Sequence, residues 1–176
     1  MQLARTVGRI TIGGLFMAHG TQKLYGWFGG PGLEGTEGMM TALGYRPPRQ
    51  QAVMAGAVEA GAGALLALGL GTPLAAAGLT GVMASAVRDV HASKGPWNSN
   101  GGYEYNLVLV AALADLAEGG PGGLSLDRAL GIERRGARWA VGAVALGVSA
   151  SFLNAALSRR LRAREQDDAR DDAATG

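Results

Sequence analysis

Five apolar stretches, 4–24, 52–70, 73–90, 103–117 and 139–157, dominate this chain. Most of its 16 basic and 14 acidic residues are confined to 1–9, 23–49, 88–104, 115–138 and 158–172. Each apolar stretch approaches the ~20 residues a helix needs to cross ~30 Å of hydrocarbon, the fourth only if it stands with little tilt. A water-soluble bundle fits poorly, because "AVMAGAVEAGAGALLALGL" and "WAVGAVALGVSASFLNAAL" have almost no polar face. The 30 glycines point the same way, since Gly weakens a helix in water but lets helix backbones approach closely in a membrane. The expectation is an all-α, polytopic transmembrane bundle with five crossings. Cysteine is absent, which excludes thiolate nucleophiles and cysteine-ligated zinc or iron–sulfur sites within the chain.

Between the first two stretches, residues 25–51 predict a short interfacial helix with Thr36 as its N-cap, Met39, Met40 and Leu43 on one side, and Gly44 as its stop. The second and third stretches are joined by a tight turn, "GT" before Pro73. Residues 91–102 read as irregular, and "GGPGGLSLD" as a turn followed by a capping segment. The tail "SRRLRAREQDDARDDAATG" balances arginine against acid and is expected to lack order beyond its first turns.

Let side A be the side of the N-terminus and side B the opposite one. Five crossings then place 25–51, 91–102 and the tail on side B. All four tyrosines (Tyr25, Tyr45, Tyr103, Tyr105) fall there with Trp27, Phe28 and Trp97, while side A has Trp139. An interfacial belt would serve both sides, so the asymmetry suggests an aromatic-lined mouth on side B. The tail arginines, Arg159, Arg160, Arg162, Arg164 and Arg170, make side B the more basic and the expected cytoplasmic side.

On the first helix Arg5, Arg9, Phe16, His19 and Lys23 project within an arc of about 80°. Snorkelling to headgroups accounts for the depth of Arg5, Arg9 and Lys23, but not for a shared face that includes His19. Glu59 lies near the centre of its stretch, where an acidic residue costs about 2.5–3.5 kcal/mol and so turns inward to pair or protonate. A structural hydrogen bond and a proton-exchanging or ligand-binding carboxylate both remain open for it. Counting rise along each helix places His19, Lys23, Glu59, Arg88, Asp89, His91 and Glu104 in the half nearer side B. The spacing of His19, Glu59 and His91 matches no metal-ligand motif, so no metal is expected. A proton relay or a bound polar head such as a quinone ring needs only a histidine and a carboxylate at an apolar boundary. His19 and Glu59 are the candidate catalytic pair. Lys23, Trp27, Arg88, Asp89, His91 and Glu104 are the candidate ligand contacts, with "YGWFGGPG" as a cap over them.

The segments "LFMAHGTQKLYGWFGGPGLEGT", "AGAVEAGAGALLALGLGTPLAA", "HASKGPWNSNGGYE" and "GGPGGLSLD" occur in the order found in the DoxX family of small bacterial membrane proteins, and the chain resembles that family over about residues 5–127. The resemblance implies a four-helix transmembrane core, here 1–130, to which 131–157 adds a fifth C-terminal helix and 158–176 a charged tail. It also implies a bacterial inner-membrane, multi-pass protein tied to quinone-linked redox systems or oxidative-stress defence. No catalytic residue is carried by the resemblance; His19, Lys23 and Glu59 occupy matching positions, and their roles come from the reasoning above. The expected function is a membrane redox subunit that binds a quinone-like or small polar ligand. A non-enzymatic scaffold for a soluble redox partner and a small-solute or lipid transporter are the alternatives. Expected partners are the lipid bilayer and a soluble redox protein, without nucleic acid; a homo-oligomer stays open.

Overall fold

A computed structural model describes residues 2–175. Among these the fold is all-α, with seven α-helices and no strand: α1 (Gln2–Tyr25), α2 (Gly32–Ala42), α3 (Pro48–Leu68), α4 (Thr72–Ala86), α5 (Glu104–Gly119), α6 (Leu126–Ala129) and α7 (Ala137–Thr175). A π-helical turn, Val87–His91, continues α4 without a break. The five apolar stretches fall in α1, α3, α4, α5 and α7. By length and apolarity alone, α3 and α7 qualify as membrane spans. α1 carries Arg5, Arg9, His19 and Lys23 within its 24 residues, whereas α4 and α5 have only 15 and 16.

Glycine sets how closely these helices pack. A Cβ added at Gly13 would stand 2.5 Å from Ala67 N and Gly63 O, and one at Gly63 would stand 2.6 Å from Met17 N. Only bare backbone therefore fits where α1 crosses α3, and low numbers on one face high numbers on the other, so the two run antiparallel. α7 lies along α4 in the same sense: Gly81 meets Gly147 and Ser85 meets Ser151, so this pair is parallel. α4 also packs on α3 and α5, and buried Leu66, Leu79, Leu113 and Leu116 knit the bundle together.

Side A is closed by two charged residues bonded to backbone. Arg9, 1% exposed, donates to Leu66 O (2.9 Å) and Ala67 O at the C-terminal end of α3, and to Leu124 O (2.5 Å) in the loop between α5 and α6. Asp127, also buried, accepts from Gly71 N (2.8 Å) and Thr72 N (3.2 Å), at the start of α4. A cation at a helix C-terminus and an anion at a helix N-terminus both oppose the macrodipole. Arg5 treats the end of α5 similarly, donating to Gly119 O at 2.7 Å. The polar stripe of α1 is thus divided: Arg5 and Arg9 close side A, and His19 and Lys23 belong to side B.

One local expectation is corrected. Thr36 is not an N-cap; it sits fully buried inside α2, and its hydroxyl donates to Gly32 O (2.7 Å) and Lys23 O (3.1 Å), tying α2 to the end of α1. The helix begins earlier because Pro31 precedes it with a helical φ. In the tail, α7 continues as helix to Thr175. Its Ala, Arg and Glu are good helix formers, Arg170 pairs with Asp167, and the first part of the extension packs on the loop before α3. There Arg46 N donates to Ser158 Oγ (2.6 Å) and Arg46 Nε to Glu165 (3.0 Å).

Candidate functional site

The side-B half of the bundle holds an open-mouthed cavity of about 560 Å³ between α1, α2, α3, α4, α5 and α7. Its walls are largely apolar, and four of the chain's six methionines, Met39, Met40, Met54 and Met83, contribute to them. Methionine is unbranched and polarizable, which suits a wall that must adapt to a ligand. Five candidate residues line the same space: His19, Lys23, Glu59, Asp89 and His91.

Glu59 is 3% exposed and receives two hydrogen bonds from Lys23 Nζ, one on each carboxylate oxygen. The Lys23 side chain keeps 24% exposure, so the pair is buried at its acidic end and open at its basic end. An ammonium has three donors, and two are committed to Glu59. The third makes no hydrogen bond among the described residues. His19, one turn back on α1, bonds through Nδ1 to Gln22 Oε1 (3.0 Å) and not to Glu59. The candidate catalytic pair therefore lines one cavity without a hydrogen bond between its members, and it is Lys23 that bonds Glu59.

A second polar wall rises on the α4–α7 side. Arg88 Nε and Nη2 donate to the two oxygens of Asp89 (both 2.7 Å), and Nη2 also donates to Tyr45 Oη (2.5 Å). Tyr45 Oη in turn donates to Asp89 Oδ2 (2.6 Å). Burial, then the hydrogen bond to Asp89, pushes the Tyr45 phenol up to about 12. Arg88 Nη1 donates to Ser151 O (2.9 Å) and Oγ (2.8 Å), which fastens this wall to α7. Gln51 of α3 and Asn154 of α7 form a reciprocal amide pair (3.1 and 2.9 Å) that also faces the cavity.

The other candidates are placed differently. Arg88 stands behind Tyr45 and Asp89 and positions them. Glu104 accepts from Asn98 N (2.7 Å) and so holds the loop before α5. His91 lines the cavity, with Nδ1 bonded to Gly101 O (2.6 Å). Trp27 is 57% exposed and outside the cavity, so "YGWFGGPG" does not cap it. Gly26, Phe28 and Gly29 all take positive φ in that segment, and the residues between α1 and α3 that line the cavity are instead Met39 and Met40 of α2 with the adjoining Leu43 and Tyr45. Among the described residues no three His, Asp or Glu side chains gather as a metal site. Sequence reasoning missed Gln51, Ser151 and Asn154. The signal for the α7 pair was legible in "SASFLNAALS", where Ser151, Asn154 and Ser158 recur at i, i+3 and i+7 on an otherwise apolar helix.

An all-helical protein with two membrane-length apolar helices and a largely apolar cavity bearing a half-buried ion pair is the class that this fold and site define. The DoxX family profile matches residues 4–92, which span α1 to the π-helical turn after α4, and the chain belongs to the DoxX family of membrane-associated proteins. That match covers half of the chain and contains both partners of the ion pair. No curated protein and no solved structure is similar enough to match.

Proposed function

We propose that this protein is a multi-pass bacterial inner-membrane subunit of a redox system, and that its side-B cavity binds a quinone-like ring. In this reading α1, α3, α4 with its π-helical continuation, and α5 form a four-helix core within 1–130. Residues 131–157 add a fifth crossing, and 158–176 project from the membrane on the cytoplasmic side. The observation that carries the reading is the Lys23–Glu59 pair set into an apolar, methionine-lined cavity of about 560 Å³, a volume within the usual range for small-molecule sites. Apolar walls suit a membrane-soluble ring, and the free Lys23 donor suits its carbonyl oxygen. Glu59 and His19 exchange the protons that accompany quinone reduction. The exposed rings of Tyr25, Trp27, Phe28 and Trp97 anchor side B at the interface. Electrons come from a soluble redox partner docked on that side, because the chain has no cysteine for a cluster of its own.

The scaffold reading has one observation in its favour, the polar extension of α7, which offers a partner a long exposed helix. The two readings separate on His19→Gln, Glu59→Gln and the double variant, assayed for quinone-linked turnover in native membranes. A shared site predicts that each single change removes most turnover and that the double change removes little more. Full activity in all three supports the scaffold; independent, additive losses contradict a shared proton path.

A further inference from the structure

Glu59 and Gln51 lie eight residues apart on α3, so both reach the same cavity from positions separated by about 80° around the helix and about 12 Å along it. The pole at Glu59 is charged. The pole at Gln51 is neutral: its amide and that of Asn154 use one donor and one acceptor each on one another. Each amide retains one N–H and one lone pair outside that exchange. Such a pair can donate to a carbonyl oxygen or accept from a hydroxyl, whereas the spare Lys23 donor can only donate.

We infer that the Gln51–Asn154 amide pair is a second subsite that holds the far oxygen of a two-oxygen ring and accepts it equally as carbonyl or as hydroxyl. A six-membered ring with para oxygens, plus one hydrogen bond at each end, spans roughly 11 Å, comparable to the rise of about 12 Å along α3 between Gln51 and Glu59. This rests on the reading of the cavity as a quinone-type site and adds a role for α7, which lies outside the segment matched by the family. The two forms of the ligand then stay bound through the same amide pair, and discrimination between them falls to Lys23.

The test uses the full chain in nanodiscs, titrated calorimetrically with a short-chain benzoquinone and, anaerobically, with its hydroquinone. Asn154→Leu and Gln51→Met are each expected to weaken both forms by a similar factor, about fivefold to tenfold, as expected for the loss of one neutral hydrogen bond. The swapped double variant Gln51→Asn/Asn154→Gln restores an amide pair and is expected to recover most of the affinity. Wild-type affinity in both single variants, or a loss confined to one redox form, overturns the inference while leaving the site reading in place. A wild-type protein that binds neither form overturns the site reading, and this inference with it.

Discussion

Lys23 of α1 and Glu59 of α3 form an asymmetric ion pair, with the carboxylate 3% exposed and the lysine side chain 24% exposed. Removing either partner therefore leaves a different problem. Glu59→Gln frees a lysine that can extend to the cavity mouth, and a stability loss of about 1–2 kcal/mol is expected. Lys23→Met strands a buried carboxylate and is expected to cost about 3–5 kcal/mol. Detergent-based unfolding of the two variants checks the order; a larger loss for Glu59→Gln contradicts the described asymmetry.

Glycine at the α1–α3 crossing is a steric requirement. Gly13→Ala and Gly63→Ala place a methyl against backbone atoms that cannot yield, so both are expected to reduce the folded yield sharply, whereas Gly14→Ala, whose Cβ meets nothing within 4 Å, is expected to be neutral or mildly stabilising. Size-exclusion profiles of the three variants distinguish these outcomes.

The side-A closure predicts losses of different size. Asp127→Ala removes the cap of α4 and is expected to cost about 1–2 kcal/mol. Arg9→Met releases three carbonyls from one guanidinium and is expected to cost more. Thermal unfolding in the same detergent compares them.

Tyr45 links stability to alkaline pH. Its phenol, ordinarily near 10, is raised to about 12 in the folded chain. The unfolded chain thus releases this proton first as pH rises, so the contribution of Tyr45 is complete below pH 10 and is lost as pH climbs through about 12. Tyr45→Phe should flatten the stability profile in that window. An unchanged profile contradicts the burial of the phenol together with its hydrogen bond to Asp89.

Helix positions were legible in the sequence because apolar stretches and charge boundaries follow directly from hydropathy. The gathering of His19, Lys23, Glu59, Asp89 and His91 around one space was legible as shared depth. Their partners were not. Depth does not say that Lys23 would take Glu59 while His19 took Gln22, because that depends on how closely glycine lets α1 approach α3. Aromatic content misdirected the reading of Trp27, since an exposed ring at the interface and a ring over a cavity have the same sequence signature. The path of α7 was hidden too, because its apolar faces do not reveal which of them meets α4.

Photolabelling with an azidoquinone tests the central claim most directly, with the full chain in nanodiscs and the labelled peptides identified by mass spectrometry. A quinone site in the side-B cavity predicts labels on the peptides carrying Met39 to Tyr45, Met54 to Glu59 and Ser151 to Asn154, suppressed by excess unlabelled quinone. Labels spread over the outer faces of the helices, or labels that excess quinone does not suppress, would contradict it.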